Sequence, residues 1–305
     1  MTAGVSTVVY AVVVSYNATP ARLTQQFQQL APQVNTIVWV DNGSSAPLAA
    51  NHLSPQPGRL HHIQLPHNLG IGAAQNVGMH WAMQAGATHI LLMDDDSLPA
   101  PDMVSQLMHA LATQPKAGAA GAAYHDPRRQ ESHTPFSVRQ GFRLQWLPCT
   151  DSSRTWPVDH LIASGCLIPV HVLQAVGTMR EDYFIDWVDV EWCLRATHHG
   201  YLLYGVCAAA LEHTLGNRVT SILGREIPCH PPWRHYYQAR NFILMLRHTP
   251  MPWQLRAHMA WRQLKRFLVF STLVPGRVTY ARMWVLGITH GCLGRTGPRV
   301  TPSQR

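Results

Sequence analysis

Three consecutive carboxylates, Asp94, Asp95 and Asp96, close an apolar run over residues 89–93. Adjacent carboxylates repel one another unless something cationic sits among them. A hard divalent ion bridging them to a diphosphate would remove that repulsion, and an all-oxygen donor set suits Mg or Mn. The alternative is an acidic turn or a helix N-cap, since Ser97, Leu98 and Pro99 follow directly. Asp41, in Val40-Asp41-Asn42-Gly43-Ser44, also has two readings. Its carboxylate can accept hydrogen bonds from a nucleobase N–H or a ribose hydroxyl, or it can shape the turn in which it stands. A second acidic group, Asp186, Asp189 and Glu191, precedes Trp192-Cys193-Leu194-Arg195. Carboxylates there either favour a helix N-terminus or supply a general base for a hydroxyl proton. His213 follows a short apolar stretch; a lone histidine is more often structural than a ligand.

These residues need elements to position them. Residues 8–15 form a nearly unbroken β-branched run, which predicts a strand buried on both faces. Helical composition over 22–30 leads to a second strand at 36–40, stopped by Asp41-Asn42-Gly43-Ser44. A third strand is expected at 60–65, a helix at 71–85 and a fourth strand at 89–93, running straight into the triplet. That alternation predicts a doubly wound α/β sheet, in which ligands bind beyond the carboxyl ends of the strands. Asp41 and Asp94 to Asp96 stand at such ends. The glycines of Gly70-Ile71-Gly72-Ala73-Ala74-Gln75 do not make a dinucleotide fingerprint: Gln75 replaces the third glycine, and the segment does not follow the first strand. Residues 118–158 are irregular and read only as loops with short strands; 164–170 reads as a strand, 188–198 as a helix and 202–211 as an interrupted strand. Beyond Pro232 the chain turns to long helical segments broken near Pro250 and Pro275.

At 46% hydrophobic and 13% charged, the 305-residue chain can bury a sizeable core and is not a disordered polymer. A net charge of +8 draws it towards anions. No recognised nucleic-acid-binding module accompanies that charge, and no nucleic-acid partner is expected. The six cysteines show no CxxC pair or zinc-ligand spacing, which predicts free thiols in a reducing cytosol. The N-terminus has no basic segment followed by a long apolar run, so a cytoplasmic protein without a signal peptide is expected.

The order of the motifs carries more than any one of them. Val14-Ser15-Tyr16-Asn17, then Val40-Asp41-Asn42-Gly43-Ser44, then Asn68-Leu69-Gly70 with Asn76-Val77-Gly78, then Leu92-Met93-Asp94-Asp95-Asp96-Ser97 resemble glycosyltransferase family 2. Ser164-Gly165-Cys166-Leu167, the run from Phe184 through Asp186, Asp189, Glu191 and Trp192 to Arg195, Glu212-His213, Tyr236-Tyr237 and Arg240-Asn241 resemble its rhamnosyltransferase branch. The resemblance implies a GT-A type α/β fold over residues 1–230, followed by a helical C-terminal region at 231–305. It implies nucleotide contacts from Ser15, Tyr16, Asn17, Asp41, Gly70, Asn76, Asp94 and Asp95. It implies Mg or Mn on Asp94, Asp96 and His213, and Asp189 as the catalytic base with Asp186 as the fallback. Ser164, Gly165, Glu191 and Trp192 would stand on the acceptor or donor-sugar side. The implied reaction is an inverting transfer from a nucleotide sugar, dTDP-L-rhamnose or another dTDP- or UDP-sugar, to a glycan or lipid-linked glycan. Many relatives carry a second acid just before the base, where this chain has Val188. A nucleotidyltransferase, the rival enzyme class, would want a basic Gly-rich loop that Ser15-Tyr16-Asn17 does not supply.

In the tail, Ala257, Ala260, Trp261, Leu264 and Leu268 fall at helical spacing, with Arg262, Lys265 and Arg266 on another face. Such a helix either packs on the catalytic domain with a solvated basic side or attaches to an anionic membrane surface. The aromatics Trp253, Phe267, Phe270 and Trp284 favour the second, on the inner face of the cell membrane.

Overall fold

The computed structural model describes residues 6–49, 53, 58–127, 135–141, 143–213, 218–222 and 225–299. Its first half alternates as the sequence predicts: β1 (Val9–Ser15), α1 (Pro20–Leu30), β2 (Thr36–Asp41), β3 (Leu60–Gln64), α2 (Ile71–Gln84) and β4 (His89–Asp94). β1 lies between β2 and β4, parallel to both, and β3 extends the sheet beyond β2. A strand flanked on both edges and covered on both faces must be apolar throughout, hence the unbroken valine run. Its pleat divides the core. Val12 and Val14 face α2, while Ala11 and Val13 join Leu23, Phe27 and Leu30 of α1 on the other side.

After β4 come β5 (Ser97–Pro99), α3 (Met103–Thr113), β6 (Ala117–His125), β7 (Phe136–Gln140), β8 (Arg143–Leu147) and β9 (Thr155–Val158). Then follow β10 (Cys166–Pro169), α4 (Val170–Val176), α5 (Val188–His198) and β11 (Leu202–His213). The large sheet runs β3-β2-β1-β4-β10-β6-β11-β5, with β9 paired to β11. β10 enters antiparallel between β4 and β6, and β5 pairs antiparallel with the far end of β11. That last pairing sets Ser97 opposite His213, so residues more than a hundred positions apart become neighbours. Two cysteines expected as free thiols, Cys149 and Cys207, are joined in a disulfide. Pairing of β9 with β11, Thr155 opposite Val206, carries the loop holding Cys149 against Cys207, a proximity that spacing along the chain could not reveal.

The hairpin β12 (Arg218–Ile222) and β13 (Arg225–Cys229) leads into three helices, α6 (Pro232–His248), α7 (Trp253–Thr272) and α8 (Arg277–Cys292). Gly287 and Gly291 let α8 lie directly on α6: a Cβ at Gly287 would collide with the carbonyl oxygen of Tyr236. α6 packs along α8 and also reaches the segment that precedes α5. Its Asn241 and Gln238 hydrogen-bond that segment. No helix is long and apolar enough to cross a membrane among the described residues.

Candidate active site

A cavity of about 600 Å³ opens beyond the carboxyl ends of β1 and β4. Ser15 and Tyr16 line it from β1, Asn42 from the turn after β2, Asn68 and Gly70 from the entry to α2, and Asp94, Asp95 and Asp96 from the end of β4. Asp186, Asp189, His213, Trp233 and Arg234 close the opposite side.

The triplet is braced from below by α1. Gln26 donates from Nε2 to the carbonyls of Asp94 (2.6 Å) and Ser97 (2.7 Å), and Arg22 donates from Nη2 to the carbonyl of Asp96 (2.7 Å). Arg22 and Gln26 are one helical turn apart, so one face of α1 holds the whole turn. Ser164 Oγ accepts the Asp94 N–H at 3.1 Å and donates to Ser97 Oγ at 2.7 Å. The His213 Nδ1 lies 2.7 Å from that same Ser97 oxygen and 3.0 Å from Asp96 Oδ1.

Burial pushes the Asp94 carboxyl up to about 6, eased by His213 and reinforced by Asp96 and Asp189. Burial also raises Asp95 to about 7, although the Tyr16 N–H donates to it. His213 is moved the other way for its type. Burial alone would lower its pKa, but the Asp96 hydrogen bond and the charges of Asp94, Asp96 and Asp126 more than offset this and raise it. Carboxyls held above their usual range beside an imidazole held above its own mark a site short of positive charge. Ligand atoms of Asp94, Asp96 and His213 lie within 4.8 Å of one another, close enough to hold one metal ion. The donor set, two carboxylates and an imidazole, suits a divalent metal ion.

Across the cavity, Asp189 sits in the first turn of α5 and accepts its neighbour's N–H, Val190 N, at 2.8 Å. Burial raises its pKa, helped by the charge of Asp186 and opposed by the Val190 hydrogen bond and Arg234. Asp186 is engaged. Arg234 Nε donates to both its oxygens (3.1 and 3.0 Å), and Gln238 Nε2 adds a third contact at 3.3 Å. A carboxylate fixed in an ion pair is a poor proton acceptor, so the fallback role expected for Asp186 gives way to one of orienting Arg234.

The segment leading to Asp189 is strained. Phe184, Asp186 and Trp187 all adopt positive φ (65°, 67° and 70°), a conformation costing about 1–3 kcal/mol per non-glycine residue. Fully buried Asn241 holds it there, donating to the carbonyls of Tyr183 (2.9 Å), Ile185 (2.8 Å) and Asp186 (3.1 Å). Arg240 adds a bond to Tyr183 O at 2.8 Å. Gly70 meets the segment from the other side: Ile71 N–H donates to Phe184 O at 2.7 Å, and a Cβ on Gly70 (φ 91°) would lie 2.5 Å from that oxygen.

Several expected site residues do not line the cavity. Asn76 is buried and spends its amide on Met179 and Glu181, fastening α2 to the loop before α5. Glu191 is 1% exposed and neutralised by Arg195 at 2.9–3.0 Å, with Thr249 Oγ1 donating at 3.1 Å. Trp192 is a core residue whose Nε1 donates to Gly177 O. Both lie on faces of α5 turned into the protein, which removes them from the acceptor side. Gly165 forms a tight turn (φ 77°) between β4 and β6. Ser164 acts from beneath, through Asp94 and Ser97. Asp41 is buried and accepts Ser44 N–H at 2.9 Å, while Asn17 accepts from Ser45, so both shape the turn beside the cavity. Residues the sequence reading passed over are Asn42, Asn68, Gln75, Phe184, Trp187, Trp233 and Arg234. One signal was present for Arg234: an Asp186 carboxylate in an apolar context needs a cation.

A mixed α/β sheet with an acidic turn and a distant histidine gathered at its carboxyl end defines a GT-A type glycosyltransferase. Residues 10–172 match the family model "Glycosyl transferase family 2", and the chain belongs to that family. It is 29% identical over 293 residues to the dTDP-rhamnosyl transferase RfbF of Shigella flexneri, covering 95% of this chain and 97% of that one. Solved structures share the fold at low identity. GalNAc-T7 with UDP, GalNAc and Mn2+ superposes with a TM-score of 0.59 at 10% identity, over 94% of this chain and 56% of that chain. S. aureus TarS in complex with UDP-GlcNAc gives 0.58 at 14% identity, over 94% of this chain and 81% of that one. The mannosyltransferase PcManGT from Pyrobaculum calidifontis, with GDP-Man and Mn2+, gives 0.56 at 12%, over 96% and 88%.

Proposed function

We propose that this enzyme transfers L-rhamnose from dTDP-L-rhamnose, with inversion, to a hydroxyl of a glycan or lipid-linked glycan in cell-surface polysaccharide synthesis. The observation that carries the reading is the placement of Asp189 across one cavity from the Asp94–Asp96–His213 cluster. Likeness to the Shigella flexneri rhamnosyl transferase supports the choice of sugar. Asp94, Asp96 and His213 hold a divalent ion, Mg or Mn. Once bound, that ion supplies Lewis-acid stabilisation of the charge that develops on the departing diphosphate. Tyr16, half exposed at the rim, offers a ring face to the nucleobase, and Asn68 offers its Nδ2 to the nucleoside, its Oδ1 being held by Asn42 Nδ2 and the Gly70 N–H. Asp189 takes the proton from the acceptor hydroxyl as it attacks the anomeric carbon. Its pKa, raised by burial, keeps it a stronger base than a solvated aspartate. Arg234, locked on Asp186, fixes the wall beside it.

We further place the enzyme at the cytoplasmic face of an anionic membrane, held by α7. The outward side of this helix is the apolar one: Trp253, Trp261, Leu264 and Leu268 are 65%, 56%, 47% and 48% exposed. Exposed Arg256, Lys265 and Arg277 flank them, the charge expected against anionic headgroups. Phe270 and Trp284, read from sequence as interfacial, are instead buried among α6, α7 and α8.

A calorimetric panel of dTDP-, UDP- and GDP-sugars with manganese tests the donor. Preference for dTDP-L-rhamnose is the expected result, and tighter binding of a different sugar nucleotide contradicts it.

A further inference from the structure

A second cavity, of about 300 Å³, lies against the first. Trp187 lines both of them. α5 serves both as well, giving Asp189 to the first and Val190 and Leu194 to the second. The remaining wall comes from α7 and from residues 139–160. It is apolar in the middle, with Leu144, Leu255 and Met259, and it carries three arginines, Arg139, Arg262 and Arg266.

Three guanidinium groups face little counter-charge within the cavity itself, although Asp186, outside its wall, lies in the field of Arg266. Among the described lining residues Asp159 is the single carboxylate, and it lies in the field of Arg139. No hydrogen bond or ion pair engages the guanidinium groups of Arg262 or Arg266 among the described residues. The Nε atoms of Arg139 and Arg266 are buried without a partner, as is Gln263 Oε1. Burial lowers the pKa of both Arg262 and Arg266, yet an arginine starts so high that it stays charged. The lining imidazole of His160 adds a further N–H donor. Buried guanidinium N–H donors without partners, as at Arg139 and Arg266, are costly, and a doubly or triply charged oxyanion repays that cost through bidentate hydrogen bonds.

We infer that this second cavity binds a phosphate or diphosphate carried by the acceptor, and so holds the acceptor hydroxyl across Trp187 at Asp189. The inference rests on the proposed reading of the first cavity as the donor site. Helix α7 also fits it to the membrane: Arg262 and Arg266, one turn apart, reach the cavity from the helix whose opposite face carries Trp261, Leu264 and Leu268. An anionic headgroup could enter the protein while its chain stayed in the lipid.

The test uses three probes in EDTA, which leaves the donor site without its cation: inorganic pyrophosphate, farnesyl diphosphate and farnesol. Calorimetry compares the wild-type chain with Arg262→Gln, Arg266→Gln and Asp96→Ala. Both diphosphates should bind the wild-type protein and the Asp96→Ala variant equally well, and each arginine substitution should weaken them about tenfold, the worth of one charge-assisted hydrogen bond. Farnesol should not bind. Tighter binding of farnesyl diphosphate than of pyrophosphate supports a lipid-borne acceptor; equal binding supports a soluble phosphorylated one. Arg262 is exposed at the cavity mouth, so its variant folds even if Arg266→Gln does not. Unchanged diphosphate affinity in Arg262→Gln, or affinity lost in Asp96→Ala, overturns the inference. Donor binding with manganese, measured separately, reports on the first cavity alone, so failure of one reading is not mistaken for failure of the other.

Discussion

Replacing Asn241 with alanine should damage catalysis from a residue that does not line the cavity. The wild-type amide donates to three carbonyls of the strained segment and accepts Arg240 Nε at 2.9 Å. Tyr183 O keeps a donor in Arg240 Nη2, so two carbonyls, those of Ile185 and Asp186, lose the Asn241 amide, and Arg240 Nε loses its acceptor. At about 1 kcal/mol for each group left buried and unmatched, the substitution costs about 3 kcal/mol. For a chain of this size that lowers the melting temperature by roughly 5 °C. The same loss frees Phe184, Asp186 and Trp187 to relax from positive φ, which shifts Asp189 relative to the donor. A displacement near 1 Å lowers turnover by about a hundredfold. Differential scanning fluorimetry and initial-rate transfer assays measure the two effects. Asn241→Asp discriminates further, because it retains an acceptor for Arg240 but offers no donor to the carbonyls. The reasoning is refuted if Asn241→Asp behaves like wild type, or if Asn241→Ala keeps full kcat.

Three further expectations concern the same site and its surroundings. Gly70→Ala places a methyl 2.5 Å from the Phe184 carbonyl oxygen and should raise donor KM and lower kcat by about tenfold or more; wild-type kinetics would show that the close approach is dispensable. The base must be ionised to work, and Asp189 has a raised pKa, so kcat/KM should fall as pH drops through a limb above the ordinary aspartate value of about 4. A profile flat down to that value would remove Asp189 as the titrating group. Vesicles containing phosphatidylserine should retain the protein in flotation at low salt, and a Trp261→Ser, Leu264→Ser, Leu268→Ser variant should be released with its fold intact. Equal flotation of the two proteins would contradict the outward apolar face as the membrane contact.

How much of this was legible in the sequence depends on how local each signal was. β1, β2, β4 and α5 were recoverable to within a residue or two because buried strands write themselves as short apolar runs and α5 as a short helical period. β6 was not. Its sequence, AGAAGAAYH, has a single strand-favouring residue, Tyr124, and Gly118 and Gly121 admit Tyr201 and Leu161 against its backbone. The triplet was visible as chemistry, but its link to His213 needed the β5–β11 register, which no local pattern encodes. Glu191 and Trp192 were placed beside Asp189 at the site, on the acceptor or donor-sugar side. They differ because α5 turns 100° per residue, carrying Asp189 to the cavity and its neighbours into the core. The ion pair of Asp186 with Arg234, and the disulfide of Cys149 with Cys207, join residues 48 and 58 positions apart and were beyond any spacing argument.

The account turns on a division of labour between Asp189 and the triplet, and one paired measurement reaches it directly. Manganese-dependent binding of dTDP-L-rhamnose and its transfer to acceptor are measured side by side for wild type, Asp189→Asn and Asp96→Ala. Asp189→Asn should bind the donor as wild type does while transfer falls by about a thousandfold, the loss of a general base. Asp96→Ala should lose the metal-dependent part of donor binding itself. Donor affinity that collapses in Asp189→Asn, or that survives with its metal dependence intact in Asp96→Ala, would contradict the account.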